Sequence, residues 1–578
     1  MKKQTSDEFV FLPLGGSGEI GMNLNLYGYG PEANREWIVV DVGVTFGDLS
    51  TPGVDVIVPD PAFLEGETIR GIVLTHAHED HIGALGWLWS RMKAPLYATP
   101  FTAFLIREKL REAGILDQVE INEIPLGGSI DLGPFTVDFI TMTHSIAEPN
   151  GLAIRTPLGT VLHTGDWKID DQPIVGEVTD SGAISRLGDE GVLAMVCDST
   201  NVFVEGVAGS EGDVRDALTE LIGSLKGRIA VGCFASNVAR MDSVIRAAEA
   251  AGRRVSLAGR SMHRITSAAK HVGMMQDIKP FLSEQEARVW PADEILYLCT
   301  GSQGEARAAL SRVAEGTHPY IKLSRGDHCI FSSRVIPGNE LSIGRLQDKL
   351  TDRGGRIYTE KDHPGIHVSG HPCREELRQM YAWARPQIAV PTHGMRRHLA
   401  EHANLAKDIG VPETVTPRNG DMVRLAPGPA AIIDEVPSGR LYVDGGRLVT
   451  EQGEALHERR HASTNGVLIV SFAMDRRGKI VSDIDVRAIG LPGDADSPLG
   501  EALDDLAERA EAAVTKLKGE ALEDELVIEQ AVSRALKKAS QQIWARRPSS
   551  RPLFCGSDRP AASLKACDRP LNGAGGCL

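Results

Sequence analysis

The stretch "THAHEDH", Thr75 to His81, places three histidines, a glutamate and an aspartate in six positions, directly after the apolar run Ile72-Val73-Leu74. Neutral imidazole nitrogens and carboxylate oxygens are the donors that Zn²⁺ and Mn²⁺ prefer. At the exit of a buried strand, His76 and His78 alternate onto one side, and the turning backbone carries Asp80 and His81 towards a neighbouring position. The pattern reads as a metal-binding loop rather than a solvated turn. Three later strand ends supply the further donors that a two-ion site needs: His144 in "TMTHSI", Asp166 in "HTGDWK" and His393 in "VPTHGM". The expected sets are His76, His78 and His144 for one ion and Asp80, His81 and His393 for the other, with Asp166 bridging. Two divalent ions ~3.5–4 Å apart can share a hydroxide at neutral pH and clamp both sides of a phosphoryl transition state.

Seven donors from four separated segments need a scaffold that ends several strands at one edge. The first two hundred or so residues supply short apolar runs such as "EWIVVDVG", "FTVDFITMT" and "GTVLHTGD", bounded by Gly, Pro and Asp. They predict sheets covered by helices such as that in "TPFTAFLIREKLREAGI". From about Asp213, helix and strand patterns alternate as in a parallel α/β domain, and strand-like "QIAVPTHG" then resumes the earlier style. The expected division is a first domain in two parts, 1–207 and 369–449, interrupted by an insertion over 208–368. A polar linker is expected at 450–464, a small α+β domain at 465–547, and a disordered tail at 548–578.

A chain of 578 residues exceeds what one core supports. No run of about eighteen apolar residues occurs, so no membrane-spanning helix is expected. The N-terminus lacks the apolar stretch of a signal peptide, which predicts a cytoplasmic protein with no membrane partner. Cys197, Cys233, Cys299, Cys329 and Cys373 are widely spaced and read as buried small apolar residues. The formal charge of −16 argues against coating nucleic acid by bulk charge, but a bound metal or a local basic groove reverses the field where it matters.

The ligand set resembles that of the metallo-β-lactamase superfamily of hydrolases, and the insertion with its edges resembles the β-CASP nuclease branch. Within it, "PLGGSGEIGMN", "LTHAHEDHIGAL", "TGSQGE", "FSSRVIPGNE" and "HVSGH" resemble the ribonuclease J group, from about Phe11 to about Arg547. The resemblance implies an α/β metallo-β-lactamase αββα sandwich with an inserted β-CASP α/β domain and a small α+β C-terminal domain. It implies two Zn²⁺ per chain, with Mn²⁺ or Mg²⁺ as alternatives. The substrate would be single-stranded, 5′-monophosphorylated RNA, degraded 5′-to-3′ and also cut internally, in mRNA decay and rRNA maturation. A homodimer or homotetramer, and an RNA-degrading complex, are the implied assemblies.

By the same resemblance, Asp198 in "CDSTN" and His371 in "HVSGH" join Asp80 as catalytic residues. His371 would protonate the leaving 3′-oxygen and Asp198 would orient its ring. His367, Val368, Ser369, Gly370 and His371 would grip the substrate with Ser236 and Asn237, while Ser302, Gln303, Ser332, Ser333 and Arg334 would contact its backbone. Two bland readings stand beside these: Ser236 and Asn237 as a helix N-cap, and Asp198 with His371 as additional metal-shell residues. The rival functions are a small-ester or thioester hydrolase of the same fold, against which the insertion of about 150 residues between Asp213 and His367 speaks, and a non-catalytic scaffold, against which seven intact ligands speak. The chain departs from the family pattern in Met395, where an acidic residue is usual, and in a C-terminus that does not read as a strand.

Overall fold

The computed structural model describes residues 6–556, apart from Leu49, Pro337, Arg476 and 494–498, and omits the side chains of 551–556. These residues form two compact units, one running to Phe46 and from Val56 to Val443, the other from Gly47 to Asp55 and from Asp444 onward. The larger unit is built on an eight-stranded and a seven-stranded sheet. Phe9, Phe11, Tyr27, Ile38, Val40 and Val73 from the first meet Phe135, Val137, Phe139, Leu152, Val196 and Val390 from the second in one buried core. The outer face of the seven-stranded sheet is covered by the helices Ser181–Glu190, Arg374–Ala384 and Arg396–Asp408, whose Ile184, Leu377, Met380 and Leu405 are buried against Leu162, Met195 and Ala389. This is the expected α/β sandwich of two sheets between helices, arising because each sheet buries both faces.

The insertion has its own core and sheet, of order Arg254–Ala258, Ile295–Cys299, Ile229–Gly232, His328–Phe331, Arg356–Tyr358, with every pairing parallel. The five internal cysteines are free and buried, as small apolar residues. Among the described residues no helix is long and apolar enough to cross a membrane.

In the smaller unit, Val467–Met474 pairs antiparallel with Asp485–Ile489 and buries alternate residues against the helices Leu499–Thr515 and Glu525–Trp544. Three expectations are corrected here. The expected linker at 450–464 is largely the helix Glu454–Asn465, in which Leu456 alone is fully buried, so its sequence carries no apolar stripe to announce it. Residues 47–55, expected in the first domain, belong to this unit, where Arg460 Nε donates to the Ser50 carbonyl at 2.7 Å. The expected disordered tail begins with a strand, Ser549–Gly556, which pairs parallel with Val467–Met474 along its whole length. It lies at the sheet edge, the position that tolerates Pro552. The rest of that tail, 557–578, falls outside the described residues.

The edge strand also ties down the helix Glu454–Asn465, because Ser549 Oγ lies 2.9 Å from His461 Nδ1. Ending the chain after Pro548 is therefore expected to lower the unfolding transition of this unit by roughly 5 °C or more, measured by calorimetry of the intact protein. An unchanged unfolding profile would remove the strand from the account.

Candidate active site

The topology delivers the donors to one edge. Gly159–His163, Val192–Asp198 and Ile388–Thr392 run parallel, and Phe135–Thr141 has the same direction through its antiparallel neighbour. His144, Asp166, Asp198 and His393 therefore leave the seven-stranded sheet at the same end, the end where open α/β sheets bind ligands. The facing sheet contributes "THAHEDH" after Thr68–Val73. Gly43 lets the chain lie flat against that loop, since a Cβ there would stand 1.7 Å from the Asp80 carbonyl oxygen.

Two groups of donors result, each with its ligand atoms within 4.8 Å of one another: His76, His78, His144 and Asp166, and Asp80, His81, Asp166 and His393. In the first, Nδ1 of His78 is 3.1 Å from Nε2 of both His76 and His144. In the second, Asp166 Oδ2 is 3.2 Å from His81 Nε2 and 3.6 Å from His393 Nε2, and Asp80 Oδ2 is 3.7 and 3.8 Å from the same nitrogens.

The nitrogen of each ring that faces away is held by a partner, which sets the ring's orientation and its tautomer. His81 Nδ1 meets Asp41 Oδ2 at 2.8 Å, His144 Nδ1 donates to the Gly370 carbonyl at 2.5 Å, and His393 Nδ1 donates to Asn23 Oδ1 at 3.1 Å. His76 Nδ1 meets Thr75 Oγ1 at 3.0 Å, and His78 Nε2 meets Ser236 Oγ at 3.1 Å. Asp41 and His393 adopt left-handed backbone, with φ of 64° and 48°, a conformation of modest cost that the surrounding contacts impose.

Burial, and then the neighbouring imidazoles, hold His76 and His144 well below the usual histidine range, and burial takes His78 down to about 4. These rings stay neutral with lone pairs turned inward. Burial opposes the charged forms of His81 and Asp166 as well, but Asp166, Asp41 and Asp80 outweigh it and raise His81, while His393 and His81 hold Asp166 well below the carboxylate range. His393 Nε2 is buried without any hydrogen-bond partner. An orphaned nitrogen beside two carboxylates, and neutral rings facing lone pair to lone pair, fit divalent cations and are costly without them.

Beside these groups, His371 Nδ1 is 2.8 Å from Oδ2 of the fully buried Asp198, whose Oδ1 accepts the Thr200 amide at 2.8 Å. Burial disfavours the imidazolium, but the charge and hydrogen bond of Asp198, then Asp166 and Asp80, lift His371 to about 9. Cations held by the last two would offset their share and leave Asp198 as the lasting cause. A Cβ at Gly370 would lie 2.5 Å from Ser145 Oγ, so only glycine lets this segment cross His144. Ser369 Oγ accepts from Asn201 Nδ2 at 2.8 Å and from the His371 amide at 3.2 Å, which leaves its O–H to donate elsewhere.

Other expected substrate residues are placed differently. Asn237 caps the helix Val238–Ala250 and donates to Glu211 at 3.1 Å, so its side chain is already occupied. Ser236 faces His78. Ser302 and Gln303 are buried, and Gln303 holds the turn through the Arg334 carbonyl and the Ile336 amide. Ser332 is buried beneath Arg240, Ser333 is 9% exposed, and Val368 fills the space over Gly209. Arg334 is exposed and donates to Asn201 Oδ1 at 2.9 Å. Met395 is half exposed. Sequence reasoning missed Asp41, Asn23, Asn201 and Arg240, which act only through contacts with distant segments; the "VVDVG" that ends a strand at Asp41 was the one local signal.

Two facing sheets between helices, metal donors at their strand ends and a parallel α/β insertion define a metallo-β-lactamase-type hydrolase of the β-CASP kind. The chain matches the beta-lactamase superfamily domain over residues 36–182, the ribonuclease J beta-CASP domain over 226–350, the Zn-dependent metallo-hydrolase RNA specificity domain over 363–417 and the ribonuclease J C-terminal domain over 454–555. It is 46% identical to a ribonuclease J of Sinorhizobium meliloti over 545 residues, 94% of this chain and 96% of that one. It is 38% identical to a ribonuclease J of Mycolicibacterium smegmatis over 543 residues, 93% and 95% of the two chains. A solved structure of a protein of unknown function from Enterococcus faecalis shares the fold, with a TM-score of 0.51 at 16% identity over 72% of this chain and all of that one. The chain belongs to the ribonuclease J family, and it is a metal-dependent ribonuclease.

Asp41 gives the clearest test of the ring-holding partners. Asp41→Asn keeps a side chain that tolerates the left-handed backbone but removes the charge behind His81. Metal affinity, measured by titration into the apoprotein, is expected to fall about 10–100-fold for one class of ion, with the other unaffected. Unchanged affinity would deny Asp41 that role.

Proposed function

We propose that this protein is a 5′-to-3′ exoribonuclease that prefers a 5′-monophosphate, and an endoribonuclease, acting on single-stranded RNA in mRNA decay and rRNA maturation in the cytoplasm. The metal centre would belong to the sandwich, residues 1–207 and 369–449, with the insertion, 208–368, alongside it. His76, His78 and His144 would hold one ion, Asp80, His81 and His393 the other, and Asp166 both. Zinc fits the nitrogen-rich donor set, with manganese or magnesium as alternatives. When bound, the ions lower the pKa of a water and offset charge at phosphorus.

The residues of the chain do the remaining work. With its Nδ1–H donating to Asp198, His371 has Nε2 left to carry a proton to the leaving 3′-oxygen. Asp198 and His371 could also be grouped with His393 as metal donors. Their own 2.8 Å hydrogen bond, with the Thr200 amide on the other Asp198 oxygen, already engages both carboxylate oxygens and one ring nitrogen, and this favours proton transfer. Around "HVSGH", the free O–H of Ser369 and the Arg334 guanidinium, which has no carboxylate partner among the described residues, are donors suited to phosphate oxygens. The observation that carries the reading is the pair of donor groups sharing Asp166 with the His371–Asp198 pair at their side.

Two experiments test it. His371→Ala is expected to slow cleavage about a hundred- to ten-thousand-fold while retaining its full metal content, and loss of one metal equivalent would make it a ligand instead. RNA labelled near its 5′ end, bearing a monophosphate or a triphosphate, separates the terminal activity: decay from the end should be much faster on the monophosphate and abolished by chelator, while internal cutting should differ little between the two RNAs. Equal terminal rates would refute the monophosphate pocket.

A further inference from the structure

Arg240 takes no part in the chemistry described above, yet it is a cation only 1% exposed, on the helix Val238–Ala250 of the insertion. Each of its three nitrogens donates a hydrogen bond. Nε donates to Glu211 Oε2 at 3.1 Å and Nη2 to Glu211 Oε1 at 2.9 Å. Nη1 donates to Ser332 Oγ at 2.8 Å, to the Ser332 carbonyl at 3.0 Å and to His367 Nδ1 at 3.0 Å. Three separate segments, the start of the helix Glu211–Ser224, the exit of the strand His328–Phe331 and the "HVSGH" loop, are joined by one side chain.

The last of these bonds decides a tautomer. A guanidinium stays protonated and can only donate, so His367 Nδ1 must accept and carries no proton. The neutral ring then bears its hydrogen on Nε2. His367 is 9% exposed, and its Nε2 makes no hydrogen bond to the protein among the described residues. Burial, followed by the Arg240, Arg334 and Lys168 charges, also disfavours an imidazolium there.

We infer that Arg240 is a positioning residue that fixes His367 as a permanent Nε2–H donor to the 5′-terminal phosphate of the RNA. This rests on the reading of "HVSGH" as the phosphate-binding segment. Without Arg240, the ring could equally present a lone pair, which repels phosphate oxygens; with it, a donor is in place before the RNA arrives. The charge on the phosphate is met by Arg334, and His367 contributes direction. Glu211, itself held by Asn237, neutralises the guanidinium and sets its plane, so the buried pair serves specificity rather than stability.

The test is the ratio of terminal decay rates on one RNA carrying a 5′-monophosphate or a 5′-hydroxyl. A merely structural defect lowers both rates and leaves the ratio alone. Three variants are compared with the full-length protein: His367→Ala, Arg240→Gln, and Arg240→Gln with Glu211→Gln, which avoids stranding a buried charge. The inference expects the ratio to fall about tenfold in each, the size of one hydrogen bond to a charged group. It expects no further fall when His367→Ala is added to the double variant, because Arg240 acts through His367. If His367→Ala lowers the ratio but both arginine variants keep it within about twofold, or if the losses multiply, the role of Arg240 is overturned. If His367→Ala itself leaves the ratio intact, the phosphate reading of the segment fails, and this inference with it.

Discussion

A single buried oxygen organises the metal centre. Asp166 Oδ2 lies between 3.2 and 3.9 Å from ring nitrogens of five histidines, His76, His81, His144, His371 and His393. Those histidines come from strand ends of both sheets and from the loop after the insertion, so the architecture around them exists to bring their ends to one point. Asp166 is 2% exposed, and a carboxylate so buried needs cationic or hydrogen-bonding company. Two of these rings, His76 and His144, and the adjacent His78 are held neutral by burial, and His393 Nε2 has no hydrogen-bond partner among the described residues. The protein has therefore assembled a site with excess lone pairs and a fixed negative charge. A bound metal resolves both.

The same arrangement explains how a chain of net charge −16 handles a polyanion. On the reading proposed above, positive charge would sit where RNA reacts, in bound metal and in Arg334, while the rest of the surface can stay acidic. The insertion completes the site as well as adding to it. Its Ser236 holds the outward nitrogen of His78, and its Arg240 holds His367 at the start of the "HVSGH" loop, where the chain returns to the sandwich.

The seven donors were legible because each emerges from an apolar strand into a polar exit, a signal contained within six or seven residues. The fold class and the parallel insertion were legible for a similar reason, the change from short apolar runs to alternating helix and strand patterns. What failed lacked a local signal. The helix Glu454–Asn465 has no apolar stripe, and the strand Ser549–Gly556 is defined by its pairing with a partner some eighty residues earlier, with a proline that only an edge position excuses. Asn237 read equally well as cap or contact, two roles that can coexist, and its side chain does cap the helix Val238–Ala250. Asp41, Asn201 and Arg240 are ordinary residues in sequence; their contacts with His81, Ser369 and His367 form only when remote segments meet.

The central claim is that Asp166 stands between two cations. Anomalous diffraction from crystals grown with Mn²⁺ or Zn²⁺ tests it most directly. The account predicts two peaks per chain, ~3.5–4 Å apart, one within bonding distance of His76, His78 and His144, the other of Asp80, His81 and His393, with Asp166 touching both. A single peak, or a peak bound by Asp198 and His371, would contradict it.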